Sequence, residues 1–205
     1  MLQGSAFEGE PAPPLRDPVD LVRLTVFAGL VWALWAGQHQ TAMEVAVALA
    51  LMTVPRLLSL PRAFDLAFAL GMTLDAWGNV VGLFGHYGWF DTLVHFTLTM
   101  VAAPTAYLAL ARLEILPSPE LAAWRRRYLG MAVITFLIGA GFEAVYEIYE
   151  FAVDQLTGSQ LQTGNADTMV DLLASSAGAL VGGQLLLAWA SSAVAPGALR
   201  GEESS

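Results

Sequence analysis

The chain has 205 residues, of which 56% are hydrophobic and 13% charged, and its net charge is −9. Soluble domains average about 25% charged residues, so this composition favours a membrane protein, in which long apolar segments need no polar face. The sequence contains neither cysteine nor lysine and shows no basic face, which excludes disulfides, thiolate metal ligands and nucleic acid as a partner.

In chain order, the sequence predicts an acidic, proline-rich disordered leader at residues 1–18, a transmembrane domain at residues 19–192 and a disordered tail at residues 193–205. About 20 helical residues cross a bilayer. Six apolar stretches approach that length, and we call them spans 1 to 6: residues 21–37, 43–60, 63–84, 92–111, 128–151 and 168–190. The predicted fold is therefore an all-α integral membrane six-helix bundle. Span 2 is expected to be short or tilted, because Pro55 and Arg56 interrupt it.

The basic residues predict how the chain lies in the membrane. All nine are arginines, and they fall only in alternate connections or at the two ends of the predicted bundle: Arg16, Arg23, Arg56, Arg62, Arg112, Arg125, Arg126, Arg127 and Arg200. Arginine and lysine are enriched in cytoplasmic connections. The pattern therefore predicts that all six segments span the membrane and that both termini are cytoplasmic.

Ionisable residues inside the spans form pairs four positions apart, and residues at that spacing share one face of a helix. The pairs lie in spans 3 to 6, and Glu150 continues the face in span 5: Asp75 with Asn79, Asp91 with His95, Glu143 with Glu147, and Asp167 with Asp171. At 1.5 Å per residue, one member of each pair falls roughly 6 to 13 Å below the outer end of its helix: Asp75, His95, Glu143 and Asp171. Four helices thus present acids in one layer of the outer leaflet.

A carboxylate in the middle of a membrane costs roughly 2.5–3.5 kcal/mol on insertion scales, so this layer needs a compensating partner. No arginine is predicted on that side, which leaves a bound cation, shared protons or a water-filled cavity. Carboxylates and imidazoles are common ligands of divalent metals. The sequence therefore predicts a divalent metal ion, whose identity it does not indicate, with these candidate ligands: Asp75, Asp91, His95, Glu143, Glu147, Asp167 and Asp171. Glu143 and Glu147 are also the candidate catalytic bases.

Three of these candidate ligands also have a purely structural interpretation. Asp167 is also a candidate N-cap of span 6, His95 a candidate partner of Asp91 or of a glutamate, and Asp75 a candidate hydrogen-bond partner of Asn79.

These motifs carry a resemblance over residues 75–183. An Asp-x-x-x-His that opens a span, glutamates near the end of the next span and an Asp-x-x-x-Asp before Gly-Ala resemble the YjdF-like family, an uncharacterised family of the bacterial inner membrane. They are similar, more distantly, to VanZ-like proteins, linked to teicoplanin resistance. VanZ-like proteins tend to have Glu and Gln where this chain has Glu143, Tyr146 and Glu147, and this chain lacks their arginine between the last two helices. The resemblance implies a fold and a bacterial cytoplasmic (inner) membrane location, but no reaction.

Three functions follow as hypotheses. The first is a divalent-metal-dependent enzyme that acts on a lipid or a lipid-linked substrate. The second is a non-enzymatic scaffold or complex subunit with a structural ion site, and the third is a proton or cation transporter. Small residues on one face of span 6, at Ala174, Gly178 and Gly182, predict close packing with another helix and a membrane-protein partner there.

Overall fold

The computed structural model describes residues 17–119, 126–158 and 161–198. Within these ranges the chain is all-helical, as predicted, and forms seven helices: α1 Pro18–Trp35, α2 His39–Leu57, α3 Arg62–Val81, α4 Leu83–His86, α5 Gly88–Arg112, α6 Arg127–Thr157 and α7 Asn165–Ala198. Spans 1, 2 and 3 correspond to α1, α2 and α3, and spans 4, 5 and 6 to α5, α6 and α7. The four-residue α4 lies in the connection after α3. Most of the predicted leader lies outside the described residues, as does the end of the predicted tail.

Four helices are long and apolar enough to cross a membrane: α1, α5, α6 and residues Asn165–Ser192 of α7. The remaining long helices, α2 and α3, have 19 and 20 residues. They carry more polar side chains, including Glu44 in α2 and both Asp65 and Asp75 in α3. The count of six spans and the orientation of the termini therefore stay predictions.

Local chemistry sets where the helices begin and end. The carboxylate of Asp17 accepts a hydrogen bond from the backbone N–H of Val19 at 3.0 Å, and Pro18 occupies the first position of α1. The bond from Val19, reinforced by the nearby Arg62, holds the pKa of the Asp17 carboxyl below its ordinary value. At the other termini, Gly82 ends α3 and Gly158 ends α6 in the left-handed conformation, which glycine adopts without a steric penalty.

The six long helices of the described residues form two groups of three. The first group, α1 to α3, shares an apolar core that includes Val26, Val45 and Met72. In the second group, α5 packs against both α6 and α7, and α5 also packs against α3 of the first group. A second apolar core, which we call the lower core, joins the groups where α3 begins: Leu60, Phe64, Tyr107, Leu108, Ala111, Met131, Leu186 and Ala190.

The packing of α7 on α5 depends on two glycines. A Cβ atom at Gly178 would collide with the carbonyl oxygen of Phe96, and one at Gly182 would collide with that of Met100. The absence of a side chain therefore lets the two backbones approach closely. Because α5 already covers this face, a membrane-protein partner could contact α7 only through another face. That partner stays a prediction.

The arginine-rich ends of the helices meet in a network of ion pairs. Arg23 is buried, and its guanidinium donates to Asp20 at 2.9 Å, to Asp65 and, through Nε, to the carbonyl oxygen of Met52 at 3.0 Å. Arg56 lies 3.2 Å from the second oxygen of Asp20. The network ties α1, α2 and α3 together at one end of the molecule. The ionisable pairs of spans 3 to 6 lie at the other end of the molecule, because consecutive helices run in opposite directions.

Candidate metal centre

Five of the predicted ligands meet between α5, α6 and α7. Asp91 and His95 lie in the first two turns of α5, Glu143 and Glu147 in the second half of α6, and Asp171 near the start of α7. Four of the five are buried, with exposed fractions of 6% for His95, 4% for Glu143, 6% for Glu147 and 3% for Asp171. Asp91 is partly exposed and lies at the mouth of the cluster.

His95 stands at the centre of the cluster with a carboxylate on each side of its ring. Nδ1 lies 2.7 Å from Oε1 of Glu143, and Nε2 lies 3.4 Å from Oδ1 of Asp91. The first distance is that of a short hydrogen bond, and the second exceeds the usual range for one. The ring is therefore held through Nδ1, and Nε2 faces the acids at the mouth.

Both oxygens of Glu143 are occupied. While Oε1 contacts His95, Oε2 accepts a hydrogen bond from the hydroxyl of Ser175 at 2.7 Å, and Ser175 in turn accepts one from Thr99 at 3.0 Å. Ser175 and Thr99 were not among the predicted site residues. The signal was present, because Ser175 follows Asp171 by four residues and Thr99 follows His95 by four. The polar faces of α5 and α7 extend one turn deeper than the ionisable pairs alone indicate.

Glu147 has one oxygen bound and one free. The side chain of Gln162, in the connection between α6 and α7, donates to Oε2 at 2.7 Å. The backbone N–H groups of Leu161 and Gln162 donate to Asp154, so the carboxylate of that residue holds Gln162 in place. The other oxygen of Glu147, Oε1, is buried without a hydrogen-bond partner. A buried carboxylate oxygen left unpaired is costly, so this oxygen could bind a cation or accept from a donor group.

The carboxylates and imidazole form two overlapping groups of three, each with ligand atoms within 4.8 Å of one another. One group is Asp91, His95 and Asp171, and the other is His95, Glu143 and Glu147. Oxygen donors with one imidazole suit zinc, manganese or iron. Within the described residues, the cluster therefore has the donor set of a divalent-metal centre, and His95 belongs to both groups.

Two predicted ligands lie outside both groups. Asp75 accepts a hydrogen bond from Asn79 at 3.3 Å, the structural interpretation given for it above. Asp167 accepts a hydrogen bond from the backbone N–H of Thr163 at 2.9 Å and so fixes the chain just before α7.

Gln162 was not among the predicted site residues either, because a lone glutamine in a connection carries no periodic signal.

Together, the helices and the cluster define a class: a helical membrane protein with a buried acid–histidine centre near one end. Residues 19–192 match the family described as predicted membrane protein DUF2238, and the chain belongs to this family. This is the YjdF-like family that the motifs indicated. No curated protein and no solved structure matches the chain. The more distant similarity to VanZ-like proteins stays a prediction.

Proposed function

We propose that the protein is a divalent-metal-dependent enzyme of the bacterial cytoplasmic membrane that acts on a lipid or a lipid-linked substrate in the outer leaflet. The observation that carries this proposal is the arrangement around His95, whose two ring nitrogens face carboxylates on three helices. The free, buried oxygen of Glu147 beside it supports the same conclusion.

The distances favour one of the two groups as the ion site. Ligand atoms of a tetrahedral ion, bound at about 2.0–2.1 Å, are roughly 3.3 Å apart. The 3.4 Å between His95 Nε2 and Asp91 Oδ1 matches that separation, whereas the 2.7 Å between Nδ1 and Glu143 is a direct hydrogen bond. Asp91, His95 and Asp171 would hold the ion, and Glu143 would orient the ring from behind, as carboxylates do for metal-bound histidines.

The two glutamates have different roles in this arrangement. Glu143 has no oxygen left for chemistry, because His95 and Ser175 occupy both. Glu147 keeps Oε1 free and is the group that accepts the proton of an attacking water. A bound divalent ion would polarise the ester or phosphoryl group that the water attacks. Gln162 fixes the Glu147 carboxylate through the opposite oxygen.

The transporter hypothesis has less support. From the mouth at Asp91, the polar groups continue through Glu143, Ser175 and Thr99, and beyond them lies the lower core around Tyr107 and Met131. An apolar plug of this kind opposes the passage of an ion. The scaffold hypothesis shares the ion site with the enzyme and differs from it only in the absence of turnover.

The test is to measure bound metals by elemental mass spectrometry in purified wild type, in His95→Gln and in Asp171→Asn. Glu114→Gln, an exposed change at the arginine end, is the matched control. We expect one equivalent of a divalent ion in wild type and control, and a loss of most of it in the two variants. The metal-loaded protein is then incubated with bacterial lipid extract, and products are sought by mass spectrometry. An ion without turnover would favour the scaffold, and no ion after supplementation would overturn the metal site.

A further inference from the structure

One polar side chain of α7 lies on the outer surface of the bundle. Gln184 is exposed, although it belongs to the segment Asn165–Ser192, which is long and apolar enough to cross a membrane. At 1.5 Å per residue, Gln184 lies about 8 Å from the middle of that segment, inside a hydrocarbon layer about 30 Å thick. Its amide is therefore exposed to a medium that offers no hydrogen-bonding groups.

The amide of Gln184 makes no hydrogen bond within the described residues, and this distinguishes it from other exposed polar groups of the long helices. The hydroxyls of Thr25, Thr53 and Ser191 each donate to a carbonyl oxygen of their own helix, at 2.8, 2.7 and 2.9 Å. An unpaired amide in hydrocarbon is costly. The fold thus leaves at Gln184 a group that a second molecule can satisfy.

The residues on either side of Gln184 extend this surface along α7. Five exposed residues follow one another at alternating intervals of four and three positions, and we call them the Gln184 face: Ala177, Val181, Gln184, Ala188 and Ser191. This spacing is that of the contact line between two helices that cross at a small left-handed angle. The small side chains of Ala177 and Ala188 let a second helix approach closely. The face is separate from the glycines that pack on α5.

We propose that the Gln184 face binds a second copy of the chain, in a dimer whose two-fold axis is perpendicular to the membrane. Two copies inserted in the same orientation place each residue at the same depth as its counterpart, so a residue beside the axis meets its own copy. A glutamine amide has both donors and an acceptor, so two such amides can exchange two hydrogen bonds. The partner's Gln184 therefore supplies the complementary group at the required depth.

The first test uses single cysteines in membranes, because the chain has none of its own. Ala177→Cys and Ala188→Cys place thiols on the Gln184 face. The matched control is Leu185→Cys, which is also exposed and lies beside Gln184, about 100° further round the helix. With copper phenanthroline and air as the oxidant, we expect at least fivefold more disulfide-linked dimer from the two alanine positions than from the control. Equal cross-linking at all three positions, or none at either alanine position, would overturn the proposal.

The second test removes the amide and measures association in liposomes. Copies that carry Glu114→Cys, an exposed position at the arginine end, are labelled with a donor or an acceptor dye, and energy transfer at increasing dilution in lipid gives the association constant. Gln184→Leu should lower that constant about tenfold, which corresponds to about 1.4 kcal/mol. Gln155→Leu, the same change at an exposed position at the acid end of α6, should leave it unchanged.

Thermal unfolding in detergent shows that the Gln184→Leu variant is folded, since the change removes a polar group from the lipid-exposed surface and should not lower the midpoint. A wild type that stays monomeric at every dilution, or one that associates no better than Gln184→Leu, would overturn the proposal. Both measurements are independent of the metal centre, whose α7 ligand Asp171 is buried on another face of the helix.

Discussion

His95 and Glu143 lie 48 positions apart in the sequence and 2.7 Å apart in the structure, with Nδ1 of the ring against Oε1 of the carboxylate. The pair joins α5 to α6 in a buried position, and Ser175 of α7 holds the other oxygen of Glu143. The orientation of the imidazole is thus fixed by three helices. Fixing the ring in this way should contribute to metal binding.

Glu143→Gln should weaken metal binding by about 10- to 100-fold, the usual effect of losing the carboxylate behind a metal-bound histidine. The protein should remain folded, because glutamine has nearly the same shape and can still pair with Ser175. Titration of the purified protein with the metal identified by elemental analysis measures the change. Unchanged affinity would mean that Glu143 does not orient a ligand.

Glu147→Gln should keep the bound ion and lose turnover by about 10²- to 10⁴-fold, the usual contribution of a general base. The buried amide cannot accept a proton from water, whereas the ligands Asp91, His95 and Asp171 are untouched. The measurement compares metal content and the rate of lipid turnover in one preparation, with Glu114→Gln as control. Loss of the ion in Glu147→Gln would instead make Glu147 a ligand, as the sequence analysis allowed.

Gly178→Ala should destabilise the protein by about 1–3 kcal/mol, because its methyl group would collide with the carbonyl oxygen of Phe96. Gly183→Ala is the matched control, since the nearest atom to a Cβ there is 3.7 Å away. This second change should be neutral or slightly stabilising, as alanine favours helix over glycine. Thermal unfolding in detergent measures both. Equal midpoints for the two variants would contradict the close packing of α5 and α7.

Arg23→Met should destabilise the protein by about 3–5 kcal/mol, because it leaves Asp65 buried without its guanidinium and leaves Asp20 with Arg56 alone. Arg62→Met should cost about 1 kcal/mol or less, since the Arg62 side chain is 64% exposed in its pair with Asp17. Unfolding midpoints of the two variants in the same detergent test the difference. A larger loss of stability in Arg62→Met than in Arg23→Met would contradict this ranking of the ion pairs.

The orientation can be tested with single cysteines, because the chain has none of its own. Gly85→Cys lies at the acid end of the bundle and Glu114→Cys at the arginine end, and both positions are exposed. A maleimide that cannot cross membranes should label the first in intact cells, and the second only after the membrane is opened. The opposite labelling would invert the predicted topology.

The sequence predicted the helices well, because apolar stretches of bilayer length are a strong signal. It also indicated that Asp91, His95, Glu143, Glu147 and Asp171 would share one level, since counting residues in antiparallel helices gives depth. It could not give the lateral order of the helices. That order puts Asp75, on α3, outside the groups that could hold an ion, and brings Ser175 to Glu143.

The network at Arg23 shows a second limit. From the sequence, Arg23 only marked the cytoplasmic side, and Asp20 carried no prediction of its own. The structure buries both, at 7% exposure each, because α3 brings Asp65 against them. In a sequence, a charged residue that only lies on the cytoplasmic side cannot be distinguished from one that forms an ion pair inside the protein. The ion pair of Arg23 depends on a helix some 40 residues away in the chain.

The lower core, around Tyr107, Leu108, Met131 and Leu186, has a consequence for how the proposed metal centre would acquire its ion. Because this core fills the described part of the bundle beyond Thr99, the proposed centre would exchange its ion with the solution through the mouth near Asp91. The fraction of sites that hold an ion would then depend on the free metal concentration on the mouth side of the membrane, and not on the metal concentration on the far side. A chelator confined to the mouth side should empty the centre in sealed vesicles, and the same chelator trapped on the far side should leave it filled.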